Sequence, residues 1–176
     1  MATLLYILAG LVLLILILAV IAPKTYNVSR SIEINQPKST VFTYLKYFKN
    51  QDEWYPWGKR DPNMERKLTG TDGAVGATNY WNGNKEVGEG EQEITKITDG
   101  ERIDSQLRFL KPFKSTSDAY FITEEIDTNT TKVIWGFAGK NKFPVSIMML
   151  FMNMDKAIGK DFEEGLASLK EILENR

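Results

Sequence analysis

The chain contains no cysteine and no histidine among its 176 residues. The first absence removes disulfides, a thiol nucleophile and a lipidated cysteine. The second removes the side chain that most often serves as a general base near neutral pH. Together they leave few ligands for a transition metal, so neither a metal nor another cofactor is expected. Blocks of like charge are missing too, since 22 basic and 23 acidic residues are interspersed and sum to a net charge of −1. A nucleic-acid partner would call for a basic stripe, and the sequence has none. No internal repeat or low-complexity tract is visible either.

What the chain does have is a run from Leu4 to Ala22 without one charged residue. As a helix it spans roughly 28 Å, close to the hydrocarbon thickness of a bilayer. It reads as a single-pass transmembrane anchor, which divides the chain into an anchor over 1–23 and one domain over 24–176. The competing reading is a cleaved secretory signal. Its flanks fit that poorly, because Met1, Ala2 and Thr3 supply no basic region and the run exceeds the roughly 7 to 15 apolar residues usual in such signals. The nearby basic residues Lys24, Arg30 and Lys38 all follow the run, so the positive-inside bias puts the domain on the cytoplasmic side. An extracytoplasmic domain stays open as the alternative, since long domains cross whatever their charge.

From Asn27 the apolar period changes to two, with Val28, Ile32 and Ile34 sharing one face of a predicted strand and Arg30 the polar exception on it. Val41, Phe42, Leu45 and Phe48 then recur at helical spacing, predicting a helix over 38–49, and 51–54 adds a short second one before Pro56. The next hundred residues are strand-like, with turn signals at 82–84 and Asp99-Gly100. Ile103, Ser105, Leu107 and Phe109 alternate with polar residues, and two further strands lie over 115–126 and 131–140. At the end Ile147, Phe151, Met154, Ile158, Phe162, Leu166, Leu169 and Leu173 recur at three and four, predicting one long amphipathic helix. Gly159 and Gly165 within it point to close packing or a bend.

The order of strand, short helices, six strands and closing helix resembles the helix-grip fold of the START-like (SRPBCC) superfamily. Local residues strengthen the likeness: Val28–Ile34, Pro37 and the Val41-Phe42-Thr43-Tyr44-Leu45 helix start, the Trp-rich bend Trp54–Trp57, the strand Thr131–Phe137, and the closing helix around 161–170. The nearest branch in appearance is the polyketide cyclase/dehydrase and lipid-transport-like group. The resemblance implies an α+β domain in which a seven-strand antiparallel sheet wraps a long C-terminal helix and encloses a ligand cavity. Fold likeness of this kind implies a container and leaves the reaction open.

Residue chemistry then selects a candidate ligand site. Trp54, Trp57, Tyr80, Trp81, Trp135, Phe137, Met148, Phe151 and Met152 offer aromatic contact area and adaptable thioethers, although an ordinary filled core would use the same residue types. Glu89, Glu91 and Glu93 alternate along one strand face. A solvated face accounts for that row, whereas a pocket-facing Glu91 would have its pKa raised and become a possible acid or base. Arg30 at a pocket rim would suit a carboxylate or headgroup. The segment over 145–154, VSIMMLFMNM, is apolar all round, so it is covered by loops, gates the pocket mouth or contacts lipid. The expected partners are a membrane and a small hydrophobic or lipid-like molecule. The alternatives are a cyclase- or dehydratase-like enzyme acting on an apolar substrate and a protein scaffold with a vestigial cavity.

Overall fold

The computed structural model describes residues 2–151 and 153–176. Helix α1 (Ala2–Ile21) stands apart from the sheet, with its apolar side chains exposed along almost its whole length. It ends against the domain: Ala22 is buried and the Lys24 ammonium donates to the Ala19 carbonyl, satisfying an otherwise orphan helix-end acceptor. Strand β1 (Thr25–Ile34) follows immediately.

Three short helices come next, α2 (Lys38–Lys46), α3 (Phe48–Trp54) and α4 (Pro56–Arg60). The single helix expected over 38–49 is thus broken at Tyr47. The Asp72 carboxylate accepts from the Phe48 and Lys49 backbone N–H groups at 2.7 and 3.2 Å, capping a new N-terminus from outside. Pro56 does more than stop α3, because it occupies the first turn of α4, where its missing N–H costs nothing.

Strands β2 (Glu65–Thr69), β3 (Thr78–Asn82), β4 (Glu89–Thr98), β5 (Arg102–Lys111), β6 (Ser115–Asp127) and β7 (Thr130–Lys140) complete an antiparallel sheet in the order β1-β7-β6-β5-β4-β3-β2. The meander runs outward from β7 to β2, and β1 closes the other edge by pairing Val28 with Phe137 and Arg30 with Trp135. Registers fix one inner face: Trp81 opposes Gly90, Gly90 opposes Phe109, and Ala119 opposes Phe137.

After β7 come α5 (Val145–Met148) and α6 (Met154–Glu174), where one continuous helix was expected. Asn153 accounts for the interruption, since its side chain accepts from the Lys156 N–H at 3.0 Å and Asp155 occupies the first turn, so α6 has its own N-terminal cap. Helix α6 lies across the inner face, burying Phe162, Leu166, Leu169 and Leu173 against Val41, Leu45, Val133 and Phe121. Both helix glycines mark close approach. A Cβ on Gly159 would strike the Arg30 guanidinium, and one on Gly165 would lie 2.8 Å from the Trp135 ring.

Candidate functional site

Between the inner face of the sheet, α4 and the first turns of α6 lies a cavity of about 230 Å³. Ligand clefts commonly run from roughly 300 to 1,000 Å³, so this one suits a small molecule. Its aromatic wall is built in register. Trp81, Phe109 and Phe137 come from neighbouring inner-face positions of β3, β5 and β7, with Leu107 and Ala119 between them. Gly90 makes this possible, because a side chain there would collide with the Trp81 ring and the Arg108 carbonyl; its absence lets Trp81 lie across β4.

The helix side contributes Trp57, Ile158 and Phe162. Trp135 forms the floor, stacked on Phe162 at 4.0 Å and on Tyr55 at 4.9 Å between ring centroids. Trp54 packs behind it, fully buried at 5.2 Å from Trp135 and edge-on to Tyr55. These rings interlock in stacked and edge-on pairs, the arrangements aromatic side chains prefer.

One stretch of the lining is polar. Asn79 and Gln92 face each other across β3 and β4, Tyr55 directs its phenol to Gln92, and Arg66 is paired with Asp52 at 3.3 Å. Burial pushes the Tyr55 phenol far up, against the pull of Gln92 and with a further rise from Asp52, so it stays protonated and serves as a hydrogen-bonding group. Burial also raises the Asp52 carboxyl above its ordinary value, opposed by Arg66 and reinforced by Asp72. At the helix edge of the cavity, Asp161 holds Arg60 in a two-pronged pair, one prong at 3.1 Å. A small apolar body with one polar end fits this division of the lining.

Comparison with known proteins agrees with the geometry. Residues 25–174 match the sequence family described as polyketide cyclase / dehydrase and lipid transport. The chain belongs to that family. No curated protein matches it by sequence. Among solved structures, a protein from Thermobifida fusca determined by solution NMR is 21% identical, with a TM-score of 0.63 over 83% of this chain and 91% of that one. The Aha1 dimer from Colwellia psychrerythraea is 18% identical with a TM-score of 0.55, covering 85% of this chain and 96% of the other. The crystal structure of Ara h 8.0201 is 11% identical with a TM-score of 0.56, covering 86% and 99%. At such identities the likeness concerns the fold: a START-like helix-grip domain, with the seven-strand antiparallel sheet and closing helix expected from the sequence.

Within this polyketide cyclase/dehydrase and lipid-transport fold, four of the sequence-selected residues converge on the cavity: Trp57, Trp81, Trp135 and Phe137. Trp54 supports the floor from behind. Tyr80 and Glu91 do not belong to it. Strand alternation turns them outward, where Tyr80 donates to Glu89 at 3.0 Å and Glu91 is paired with Arg108, which also holds Glu93 at 2.8 Å. The glutamate row is therefore an ion-paired outer strand face, and Glu91, expected among the ligand-binding residues, is instead a partner of Arg108.

Met148 and Phe151 also lie away from the cavity. Phe151 borders a separate open groove of about 410 Å³, shared with Pro23, Tyr26, Asn141 and Met149 beside the end of α1. Met152 falls outside the described residues. Arg30 is engaged rather than free at a rim: it donates to Asp155 at 2.8 and 3.0 Å and to Glu163 at 2.6 Å.

Sequence reading missed the polar lining, Asp52, Tyr55, Arg66, Asn79 and Gln92, and the side chains of Leu107, Phe109 and Ala119. A signal existed for two of these, since Leu107 and Phe109 share the dry face of the most regular strand. Nothing local distinguishes Asp52 or Arg66, which stand fourteen positions apart in the chain and meet only in the folded domain.

Proposed function

We propose that this chain is a membrane-anchored binding protein that holds a small hydrophobic or lipid-like molecule, with one polar group, in the cavity between sheet and α6. The observation that carries this reading is the cavity itself: an aromatic wall with a short polar strip of Asp52, Tyr55, Arg66, Asn79 and Gln92. Membership of a family described by polyketide cyclase, dehydrase and lipid transport supports an apolar ligand. Helix α1, long and apolar enough to cross a bilayer and bare of packing partners along most of its length, supports the anchor. The basic flank at Lys24 favours a cytoplasmic domain.

Titration of the full chain with an environment-sensitive apolar dye tests the reading. Saturable binding, with energy transfer from tryptophan to the dye and displacement by short amphipathic lipids, is expected. Absence of saturable binding would overturn it.

A second reading, proton transfer on a bound apolar substrate, has one feature in its favour. Asp52 combines a cavity-lining position with a carboxyl held above its ordinary pKa. Turnover abolished in Asp52→Asn with ligand binding retained would select this reading over simple carriage.

A further inference from the structure

One end of the sheet gathers features that the cavity does not use. β1 starts there, directly after α1, and β7 ends beside it with Thr25 opposite Lys140. The β5–β6 turn, residues 112–114, closes the same end, because Phe109 pairs with Ser115 and Ser117 with Gly139. Chain leaving β7 is tied to the anchor exit: the Asn141 N–H donates to the Lys24 carbonyl at 2.8 Å and its side-chain amide donates to the Pro23 carbonyl at 3.2 Å. From there α5 comes into contact with the end of α1.

This end is apolar and exposed. Phe113 is 77% exposed, Phe143 64% and Phe151 81%, and Val145 and Met148 are also open. Outside α1, the other large apolar side chains exposed among the described residues are Leu68, Val75, Ile126 and Leu150, and Leu150 adjoins the same patch. Scattered single exposures are ordinary, whereas a cluster beside a membrane-spanning helix needs an occupant.

Charge is arranged around it. Lys24, Lys114, Lys140 and Lys142 stand in or next to these segments, and among the described residues none of the four has a carboxylate within salt-bridge distance. Among the described residues, lysines without a carboxylate partner occur elsewhere on the domain too, and Lys111 at this end is paired with Glu89, so what marks the patch is that four such lysines gather beside the exposed aromatics. Exposed aromatics ringed by unpaired lysines, at the point where an apolar helix leaves, match the layering of a bilayer interface, with rings at the acyl boundary and ammonium groups among phosphates.

Resting on the reading of α1 as an anchor, we infer that this end of the domain lies on an anionic bilayer surface, with Phe113 and the 143–151 segment dipping into it. The domain is then held in one orientation rather than swinging on its short tether. The open groove between Tyr26, Asn141 and Phe151 faces the same surface.

Because the chain has no native cysteine, single labels report cleanly. Phe113→Cys, Phe143→Cys and Phe151→Cys, with Val75→Cys as the remote control and Leu11→Cys in the anchor, are spin-labelled in the full chain. Each is reconstituted into phosphatidylcholine vesicles with or without phosphatidylglycerol. In the anionic vesicles, labels at 113, 143 and 151 are expected to collide with lipid-dissolved oxygen and to be shielded from an aqueous nickel chelate, as at 11, while 75 shows the reverse.

Omitting phosphatidylglycerol, or combining Lys114→Glu, Lys140→Glu and Lys142→Glu, is expected to move the three loop labels toward water. Chelate access at 113, 143 and 151 equal to that at 75, with 11 still shielded, overturns the inference and leaves the anchor standing. Chelate access at 11 as well overturns both. Insertion indifferent to anionic lipid and to the three lysines overturns the electrostatic part.

Discussion

Gly165 of α6 lies flat against Trp135 of β7, so close that a Cβ there would sit 2.8 Å from the ring and 3.3 Å from Pro56. Neither neighbour can yield, because Trp135 is itself stacked on Phe162 and Tyr55. Gly165→Ala therefore sets a helix-propensity gain of up to about 1 kcal/mol against an overpacking cost of about 1 to 3 kcal/mol. A net loss of up to about 2 kcal/mol is expected once the full propensity gain is set against it, read as a fall of several degrees in Tm. An unchanged or raised Tm would mean that the floor of the cavity is softer than its stacking implies.

Arg30 ties β1 to the start of α6 through Asp155 and Glu163, over the notch left by Gly159. Hydrogen bonding to Arg30 holds the Asp155 carboxyl below its ordinary value. A carboxyl depressed in the folded state adds stability above its unfolded pKa, and that contribution is lost as pH falls through the folded value. Thermal stability is thus expected to decline on acidification through the carboxylate range, with a shallower decline in Arg30→Gln. Tm measured across acidic pH for both proteins checks this, and parallel profiles would contradict it.

Ala119 is the smallest side chain in the aromatic wall, placed opposite Phe137 and lining the cavity. Ala119→Phe projects a ring into the open volume and is expected to weaken binding of the apolar dye by at least about tenfold, or ~1.4 kcal/mol. Ala157→Phe, on the exposed side of α6, is the control with binding unchanged. Circular dichroism of both variants verifies the fold.

Tyr55→Phe removes the phenol that meets Gln92 and preserves the stacking on Trp135. Loss of one buried neutral hydrogen bond corresponds to about 0.5 to 1.5 kcal/mol. Ligands with a hydrogen-bonding end are expected to bind a few-fold more weakly, and purely apolar ones equally well. A uniform loss across both ligand classes would place the effect in packing instead.

The fold was readable because its signals are long-range and regular. Alternation at 103–109 and the helical repeat at 158–173 extend over several pleats or turns, and the short motif at 41–45 adds a local match. Breaks were harder to see. Tyr47 interrupts a helix because Asp72, far along the chain, caps Phe48, and α6 restarts at Asn153 because a short polar side chain outcompetes an apolar run.

The site was legible where alternation assigns a face, as for Trp135 and Phe137. At Tyr80 and Trp81 the alternation was visible, but its phase was fixed only by pairing Trp81 with Gly90. Glu91 followed the same phase to the outer face. The polar strip joins side chains from α3, β2, β3 and β4, a juxtaposition that no local pattern announces.

Native mass spectrometry of the full chain, purified in mild detergent, tests the central claim most directly. The account predicts a discrete apolar adduct of small mass on the unmodified protein and its loss from Ala119→Phe purified in the same way. An unmodified protein that flies empty, or an adduct that Ala119→Phe retains in full, would contradict it.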